Sequence, residues 1–413
     1  MAYPKTLHLT NFYHAASGGI GAFYRALFHH ANECGREIRL VVPAEQSGCE
    51  QVGACGKIYH VRAPRSPIGD RRYRLILPTG ACLREVKRIL RSEQPEILEV
   101  SDKYTLPLLS GMMRKHLLRG IGRPTEIATS HERMDVNVSA YLIKGALGLW
   151  FARCYMRYLY FPMFDHHIAN SDYTADELVP ASAGHTTRRG IWVCPMGLDN
   201  RAFSGKTRRP HPGKRLLYAG RLAAEKNTGM LIDLIRELPE DYSLVIAGDG
   251  PHRPWLMEQA SRLMAERIQF KSHFRDRDEF VQELADADIF VHPNPREPFG
   301  ITPLEAMACG VPVVVPRAGG VLSYATPDNA WLCEPTADEF AKGVKAVFAD
   351  ALERERKVSA ARLTAGNFDW QIIAARYFQL IDTLHEKGFQ IEQPPLGAAL
   401  DAWQAARKAH SAW

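Results

Sequence analysis

Several features that define large protein classes are missing from this chain. Its 413 residues include eight cysteines, but these form no CxxC motif and no paired spacing. We therefore expect reduced thiols in a cytosolic protein and no zinc site. The start, MAYPKTLHLTNF, has no charged stretch followed by an apolar one, so we expect no signal peptide. No run of about 18 uninterrupted apolar residues occurs, so we also expect no transmembrane helix.

Strong charge of either sign is also missing. The formal net charge of +6 is modest for this length and is too small by itself to indicate nucleic-acid binding. It fits an anionic substrate or a lipid headgroup surface. Hydrophobic residues make up 46% of the chain and charged residues 24%, so most of it is expected to fold, with enough length for two α/β domains.

Short apolar runs alternate with longer amphipathic segments, which is the pattern of parallel sheets covered by helices. The predicted strands of the first half are Thr6–Thr10, Ile38–Val42, Ile97–Val100, Glu126–Thr129 and His167–Ala169. Those of the second half are Arg215–Ala219, Ser243–Ala247, Asp288–His292 and Pro312–Val315. The chain is therefore predicted to be an α/β protein with two doubly wound (Rossmann-like) parallel-sheet domains that face a central cleft, where ligands bind.

A basic, turn-rich stretch at 204–213 is the predicted linker between the two domains. We assign residues 1–200 to the first domain and 201–367 to the second. Residues 368–388 carry apolar residues at helical spacing and are predicted to form a helix. Residues 389–413 are a proline-interrupted tail whose function the sequence does not reveal.

The segment from Pro293 to Pro316, PNPREPFGITPLEAMACGVPVVVP, carries two glutamates separated by seven residues. Glu297 and Glu305 cannot share a helix face, because prolines and a glycine interrupt the chain between them. We expect Glu297 on a loop, where its carboxylate can accept hydrogen bonds from sugar hydroxyls.

A new helix is predicted just before Glu305, with Thr302 as its N-cap, Pro303 in the first helical position and Glu305 in the first turn. The free N–H groups and positive dipole end of such a helix suit a phosphate. A phosphate site beside an acceptor of sugar hydroxyls indicates a nucleotide-sugar site. The alternative is a capping box, in which Glu305 only satisfies the backbone at Thr302.

Three further features follow predicted strands. The glycine-rich turn at Gly18 and Gly19 opens a helix, where backbone N–H groups can approach a phosphate, but it does not complete a G-x-G-x-x-G fingerprint.

Arg221 and Lys226 flank a turn at the carboxyl edge of the second sheet and can neutralise a diphosphate, although both residue types are usually solvated surface cations. His131 lies in the sequence SHERMD, and a lone histidine is more often structural than catalytic.

The Pro293–Pro316 segment closely resembles the E-x₇-E signature of retaining glycosyltransferases of family 4, which have the GT-B fold. The resemblance rests on the two glutamates, on Phe299-Gly300 and on the following EAMACGVPVV. It is supported by GRLAAEKN at 220–227 and by GDGP at 248–251, and it extends to about residue 385. It implies a GT-B fold whose C-terminal helix crosses back to the first domain.

The resemblance also implies roles for individual residues. The implied catalytic residues are His131 and Glu297, which contact the transferred sugar, and Arg221 and Lys226, which hold the donor pyrophosphate. The implied substrate-binding residues are Gly18, Gly19, Gly248, Asp249, Gly250, Phe299, Gly300, Ile301, Thr302, Leu304 and Glu305, with Glu305 on the ribose. No enzyme nucleophile is evident, so the family implies front-side attack assisted by the leaving phosphate.

Asp286 and Asp288 spell D-x-D, the metal-binding motif of the other glycosyltransferase fold. Here the motif precedes an apolar strand, which indicates the end of a helix and the beginning of a strand. We therefore expect neither a required divalent metal nor any other required cofactor.

Two segments bear on the acceptor. Ser139–Phe164 is rich in aromatic residues and arginines, and a long core helix under the first sheet is favoured over a helix at a membrane interface. A proline- and glycine-containing loop carries a basic run, which either is solvated or binds an anionic acceptor such as a lipid diphosphate or phospholipid headgroup. The basic run comprises Arg62, Arg65, Arg71, Arg72 and Arg74.

We therefore predict a retaining enzyme that moves a hexose from a nucleoside-diphosphate sugar to a glycan or lipid-linked acceptor, in cell-envelope polysaccharide or glycolipid synthesis. SHERMD is similar to mannosyltransferases of the family that act on glycolipids, which favours GDP-mannose; UDP-sugars are the alternative donors. We expect a cytoplasmic protein with peripheral contact to the anionic inner face of the plasma membrane and no nucleic-acid partner. The rival classes are a nucleotide-sugar epimerase of GT-B fold and a non-catalytic sugar-nucleotide-binding protein.

Overall fold

The computed structural model describes residues 3–14, 18–67, 73–141, 145–183, 190–203, 205–263, 266–272, 274 and 276–388. The chain divides into two compact units. The first unit comprises Met1–Met196 together with Trp370–Trp413, and the second comprises Gly197–Asp369. Each unit is built on its own sheet, and the apolar strands of each sheet form the centre of a separate hydrophobic core.

The sheet of the first unit has eight described strands. They are β1 (Thr6–Thr10), β2 (Ile38–Ala44), β3 (Gly48–Val52), β4 (Gly56–Arg62), β5 (Ile97–Ser101), β6 (Thr125–Ser130), β7 (His166–Ala169) and β8 (Ile191–Val193). Their spatial order is β3-β4-β2-β1-β5-β6-β7-β8. All neighbouring pairs are parallel except β3 and β4, which form an antiparallel hairpin at the edge.

Six helices connect these strands, as expected for parallel strands that need crossovers. They are α1 (Gly19–Cys34), α2 (Gly80–Glu93), α3 (Pro107–Arg114), α4 (Met134–Tyr141), α5 (Ala146–Tyr155) and α6 (Asp172–Ser182). A π-helical turn, Met156–Tyr160, and a 3₁₀ turn, Phe161–Met163, continue α5.

The sheet of the second unit is parallel throughout its described strands. These are β9 (Lys214–Ala219), β10 (Tyr242–Ala247), β11 (Ile268–Lys271), β12 (Ile289–Val291), β13 (Val313–Pro316) and β14 (Trp331–Cys333), in the spatial order β11-β10-β9-β12-β13-β14. The helices are α7 (Met230–Glu237), α8 (Arg253–Leu263), α9 (Arg277–Ala285), α10 (Ile301–Cys309), α11 (Ala337–Ala349) and α12 (Ala351–Gly366).

The last described helix, α13 (Trp370–Lys387), returns to the first unit. It packs on α1, where Tyr377 contacts Phe23 edge to face at 5.3 Å. The guanidinium of Arg36, at the carboxyl end of α1, donates two hydrogen bonds of 2.6 and 2.7 Å to the carboxylate of Asp382. Apolar packing and a bidentate ion pair therefore both fasten this helix. The predicted tail, 389–413, lies outside the described residues.

All nine strands predicted from the sequence are present. The strands that the prediction lacked are β3, β4, β8, β11 and β14. Most residues of the edge strand β3 are exposed, and β8 and β14 have three residues each, so none of these three carries a long apolar run.

The predicted long core helix at Ser139–Phe164 is wrong. The chain there is divided among α4, α5, a π-helical turn and a 3₁₀ turn, and residues 142–144 lie outside the described part. Between Ala146 and Tyr155 only Gly148 and Ala152 are buried, while several larger apolar side chains are exposed. Sequence periodicity could not separate these cases, because the segment is apolar on more than one side.

The basic stretch before β9 is fastened to the second unit. Lys206 pairs with Asp278 at 3.3 Å, Arg208 pairs with Asp288, and Arg209 pairs with Asp286. Both aspartates of the D-x-D sequence are thus engaged by basic side chains of this stretch. Ser204 lies outside the described residues.

Two loops that follow neighbouring strands of the second sheet lie against each other. Backbone hydrogen bonds join Gly220 N to Ala247 O at 3.0 Å and Leu222 N to Asp249 O at 2.9 Å. This approach requires glycine: a Cβ on Gly248 would lie 1.9 Å from the oxygen of Gly220, and one on Gly250 would lie 2.2 Å from the oxygen of Leu222. Both glycines also have positive φ angles, +145° and +155°.

We predict that Gly250→Ala destabilises the protein by about 2–3 kcal/mol, because the new methyl group collides with backbone and the φ angle disfavours alanine. Urea unfolding followed by circular dichroism measures the change. Gly366→Ala is the matched control, since this residue ends α12 and a Cβ there meets nothing within 4 Å. The control is expected to be neutral or stabilising by up to about 1 kcal/mol. Equal effects of the two substitutions would contradict this account of the loop.

Candidate active site

The strand order of the second sheet reverses between β9 and β12, and ligands of such sheets bind where the loops leave the carboxyl ends of those strands. The loop after β9 carries Arg221 and Lys226, and the loop after β12 carries Glu297. The Nζ of Lys226 lies 3.0 Å from Oε2 of Glu297. The Nδ2 of Asn227 donates to the backbone oxygen of Pro293 at 3.0 Å. Side chains therefore join the two loops that contain most of the predicted site.

Glu297 is a largely buried carboxylate with several polar neighbours. Besides Lys226, the Nδ2 of Asn294 donates to its Oε2 at 2.8 Å, and Nε2 of His292 lies 3.5 Å from the same oxygen. Burial raises the pKa of this carboxyl, but Lys226 and then His292 outweigh burial, so its pKa lies well below the usual range. Glu297 is therefore ionised at neutral pH and can accept hydrogen bonds from a polyol.

Arg221 differs from Lys226 in having an exposed side chain. Its backbone oxygen accepts a hydrogen bond from the Tyr218 hydroxyl at 3.2 Å, which holds the turn. Within the described part of the chain its guanidinium forms no ion pair. A positive group at the carboxyl edge of the sheet thus remains available for an anion.

The helix after Glu297 begins earlier than the sequence predicted. Gly300 is the residue before the helix and adopts φ +82°, so Ile301 is the first helical residue and no side chain caps the end. Thr302 is therefore not the N-cap, and Pro303 is the third helical residue instead of the first. The left-handed conformation of Gly300, which a β-carbon would strain, allows the chain to turn into the helix two residues sooner. The N–H groups of Ile301 and Thr302 still lie in the first turn and have no partner within the helix, so they suit an anion, whereas Leu304 is the fourth helical residue and its N–H belongs to the helix hydrogen bonds.

Glu305 consequently lies beyond the first turn, and the capping box with Thr302 is not formed. Its carboxylate is buried and pairs instead with Arg277 of α9, with Nη2 2.5 Å from Oε1. Burial raises the pKa of Glu305, and the guanidinium of Arg277 opposes this effect. The ring of Phe203 lies under the same guanidinium, 4.9 Å from its carbon. Arg277 is thus fixed against Glu305.

Two of the predicted substrate-binding side chains belong to the core of the second unit. Phe299 is 2% exposed and packs edge to face on Tyr324 at 5.4 Å, and Leu304 is fully buried. These residues can meet a ligand only through their backbone atoms. The loop that carries Glu297 is also held by Gly320, whose N–H donates to the backbone oxygen of Glu297 at 2.6 Å.

The first sheet reverses its strand order between β1 and β5. The loops after these strands are joined by Asn11, whose Nδ2 donates to the hydroxyl of Thr105 at 2.9 Å. The glycine-rich turn follows β1: Gly18 precedes α1 and its oxygen accepts from Ala22 N at 3.0 Å. The N–H groups of Gly19 and its neighbours therefore form the open end of α1.

His131 follows β6 at the same carboxyl edge. Its ring packs edge to face on Phe23 at 5.3 Å, and neither ring nitrogen has a hydrogen-bond partner within the described part of the chain. Burial lowers the pKa of His131 to about 4, with Lys103 acting in the same direction and Glu99 against it. The imidazole is therefore neutral at physiological pH.

A buried ion pair holds the loop that carries His131. The Nζ of Lys103 lies 2.5 Å from Oε2 of Glu177 and donates to the backbone oxygen of Glu132 at 2.5 Å. The other carboxylate oxygen of Glu177 accepts from Asp135 N at 2.7 Å. Lys103 and Glu177 thus hold the backbone of the SHERMD segment at Glu132 and at Asp135.

Sequence reasoning did not find these supporting residues. They comprise His292 and Asn294 around Glu297, Arg277 beside Glu305, Gly320 behind the loop, and the pair Lys103 and Glu177. Only Asn294 and His292 are close to a predicted residue in the chain and could have been found from it. Arg277 is 28 residues from Glu305, and Lys103 is 74 residues from Glu177, so no local pattern indicates either pair.

Of the predicted basic run, Arg71 and Arg72 lie outside the described residues. Arg74 donates to the backbone oxygen of Ala63 at 2.8 Å and pairs with Glu45 at 3.4 Å. One arginine of the run therefore contributes to the loop's own structure.

Comparison with known proteins places this architecture in a family. A family model described as glycosyl transferases group 1 matches residues 199–364. The chain is 30% identical over 385 residues to a GDP-mannose-dependent alpha-(1-6)-phosphatidylinositol dimannoside mannosyltransferase from Mycobacterium tuberculosis, covering 90% of this chain and 94% of that protein. It is 27% identical over 314 residues to a GDP-mannose-dependent alpha-mannosyltransferase from Corynebacterium glutamicum, covering 71% and 68% of the two chains.

Solved structures agree in fold. Anabaena Alr3699/HepE in complex with UDP has a TM-score of 0.69 at 18% identity and covers 92% of this chain and 100% of its own. Sucrose-phosphate synthase from Thermosynechococcus elongatus has a TM-score of 0.72 at 17% identity, with 92% and 99% coverage. The protein is therefore a glycosyltransferase with the GT-B fold. The enzyme class and the fold predicted from the sequence are both confirmed. It belongs to the family of glycosyl transferases group 1.

We predict that the protein loses stability as the pH falls from about 6.5 towards 4, in part through His131. The ordinary pKa of histidine is about 6.5, so the unfolded chain binds this proton before the folded one does. At about pH 5 the preferential protonation of this imidazole in the unfolded chain lowers the free energy of unfolding by about 2 kcal/mol relative to neutral pH. Urea unfolding at about pH 7.5 and about pH 5 should show a smaller loss for His131→Gln than for the wild type.

His29→Gln is the control for this comparison, because it replaces an exposed histidine of the same unit. Its pH dependence should follow that of the wild type. If His131→Gln also follows the wild type, the imidazole is not held neutral by its surroundings.

Proposed function

We propose that this glycosyltransferase transfers mannose from GDP-mannose to a lipid-linked glycan acceptor, with retention of the anomeric configuration. The observation that carries the proposal is the Lys226–Glu297 pair beside the open end of α10, in a chain whose relatives are named as GDP-mannose-dependent mannosyltransferases. The pair combines a cation for a phosphate with an ionised carboxylate for sugar hydroxyls.

The donor diphosphate binds to Arg221, Lys226 and the N–H groups at the start of α10. Glu297 accepts hydrogen bonds from the mannose hydroxyls, and the free oxygen of the Glu305 carboxylate takes the ribose. Supporting contacts come from backbone atoms of the predicted glycine-rich turns and of the loop before α10. These comprise Gly18, Gly19, Gly248, Asp249, Gly250, Phe299, Gly300, Ile301, Thr302 and Leu304.

In the proposed reaction the acceptor hydroxyl attacks the anomeric carbon from the face that the diphosphate leaves. Its proton passes to an oxygen of the departing phosphate, while Arg221 and Lys226 stabilise the growing negative charge. The neutral imidazole of His131 contacts the transferred sugar. No metal or other cofactor is required in this scheme, because the two cations and the helix end neutralise the diphosphate.

The acceptor is proposed to be a glycolipid, as the name of the mycobacterial relative indicates for that protein. Such an acceptor is embedded in a membrane, so the enzyme is proposed to work in the cytoplasm with peripheral contact to the inner face of the plasma membrane. The sequence charge of +6 is compatible with an anionic lipid surface.

We predict that GDP stabilises the purified protein and that UDP does not. A ligand at about 100 times its Kd adds about 2.7 kcal/mol to the free energy of unfolding, which a thermal-shift assay detects. Incubation with GDP-mannose and phosphatidylinositol mannosides should then yield a glycolipid with one more mannose. An α-linked product, identified by its anomeric NMR signal, supports retention. Stabilisation by UDP alone would remove the mannose assignment.

We predict that Arg221→Ala and Lys226→Ala each lower kcat/KM by about 10²-fold or more, because the leaving diphosphate loses a cation. Arg236→Ala is the matched control, since Arg236 is a partly exposed arginine of the same unit that pairs with Asp233. Arg221→Ala should leave the free energy of unfolding unchanged, whereas Lys226→Ala also lowers it by removing the partner of a buried carboxylate. Wild-type kinetics in both variants would contradict the phosphate assignment.

A further inference from the structure

The helical segment Ala146–Tyr160 has an unusual distribution of apolar side chains. Its buried positions recur every fourth residue, at Gly148, Ala152, Met156 and Tyr160. Small residues at the first two positions make this packed side narrow. Five large apolar side chains elsewhere on the segment are between 45% and 64% exposed. We call these five the α5 patch: Leu147, Trp150, Phe151, Tyr158 and Leu159.

A helix on the surface of a soluble protein normally buries one apolar side and exposes polar residues on the other. This segment exposes Trp, Phe, Tyr and two Leu within 13 residues. The exposed leucines Leu352 and Leu363, in contrast, lie on α12, whose sequence is otherwise rich in charged residues. Clustered exposure of this kind marks an interaction surface, whereas isolated exposed residues need no explanation.

The charged residues of the sequence segment that contains the α5 patch are all of one sign. No aspartate or glutamate occurs between Asp135 and Asp165, whereas this interval contains Lys144, Arg153 and Arg157. Arg153 is exposed on the same helix as Trp150. Tryptophan, tyrosine and arginine around an apolar surface are the composition of elements that lie at the boundary between lipid headgroups and acyl chains.

The length of the segment Ala146–Tyr160 favours a helix that lies on the surface of a bilayer over one that crosses it. Fifteen helical residues extend about 22 Å, which is shorter than the roughly 30 Å hydrocarbon core. None of the helices within the described ranges combines the length and apolar content that crossing a membrane needs. The exposed Arg153, next to exposed aromatic side chains, can reach headgroup phosphates while the rings enter the acyl boundary.

We infer that the α5 patch docks the enzyme on an anionic membrane surface. Leu147, Trp150 and Phe151 enter the boundary of the acyl chains, and Arg153 contacts anionic headgroups. This inference rests on the proposed lipid-linked acceptor, since an enzyme that modifies a membrane-embedded molecule must work at the bilayer. It adds the element of the fold that makes the contact.

The test uses vesicles of phosphatidylcholine with and without phosphatidylglycerol. Wild-type protein should co-sediment with the anionic vesicles at low salt and less with neutral ones, and high salt should weaken the binding. The double variant Leu147→Ser/Trp150→Ser should bind at least about tenfold more weakly, because apolar area no longer enters the membrane. Arg153→Gln should reduce binding about fivefold on anionic vesicles only.

Leu352→Ser/Leu363→Ser is the matched control, because both residues are exposed leucines of the second unit. It should bind vesicles as the wild type does. Trp150→Phe should retain binding, since phenylalanine preserves the apolar contact. Trp150 fluorescence should shift to shorter wavelength on binding and be quenched by brominated lipids, and Trp150→Phe should lose that signal.

Enzyme assays separate this inference from the proposed function. With a short-chain, water-soluble acceptor, Leu147→Ser/Trp150→Ser should transfer mannose at the wild-type rate, and with an acceptor in anionic vesicles it should be slower. Loss of transfer with both acceptors would overturn the membrane role of the patch. If no variant or wild type transfers mannose but vesicle binding still depends on the patch, the proposed function fails and the docking inference stands.

Two further outcomes would overturn the inference. One is vesicle binding that is equal in the wild type and in Leu147→Ser/Trp150→Ser. The other is a wild-type dimer in sedimentation velocity that this variant converts to a monomer without any change in vesicle binding, which would assign the patch to a second copy of the chain.

Discussion

The Lys226–Glu297 ion pair is the contact on which the candidate donor site of the second unit depends. A buried carboxylate is costly unless charged and hydrogen-bonding groups surround it, and Lys226, Asn294 and His292 all face the same oxygen of Glu297. The pair joins the loop after β9 to the loop after β12, where the strand order of the sheet reverses. The interaction that joins the loops therefore also positions the two groups proposed to bind a phosphate and a sugar.

The first unit also has an ion pair that holds a loop at the carboxyl edge of its sheet. Lys103, which follows β5, pairs with Glu177 of α6, and together they bind two backbone groups of the SHERMD segment, at Glu132 and Asp135. Burial keeps His131 neutral, and neither ring nitrogen has a hydrogen-bond partner within the described part of the chain. In both units an ion pair fixes a loop that carries a candidate site residue.

Glycines extend this arrangement by letting backbones approach where side chains cannot fit. Gly248 and Gly250 bring the loop after β10 against the one that carries Arg221, and Gly300 turns the chain into α10. The α5 patch has a different origin. Gly148 and Ala152 let α5 pack closely along a narrow side, which leaves its larger apolar side chains exposed.

The sequence alone determined the two parallel-sheet units, because buried strands are short apolar runs. It also placed the candidate site residues Glu297, Arg221 and Lys226 in the loops that follow such strands. It also determined the family, since the E-x₇-E segment is local. Three features were decided only by the tertiary structure. The helix α10 begins at Ile301 because Gly300 adopts a left-handed conformation, and its backbone oxygen accepts a hydrogen bond from the hydroxyl of Tyr324, 24 residues further along the chain. The partners of Glu305 and Lys103 come from distant elements, and local sequence does not encode such contacts. The exposure of the α5 patch depends on which side of an apolar helix meets the core, and hydrophobic periodicity cannot choose between sides that are all apolar.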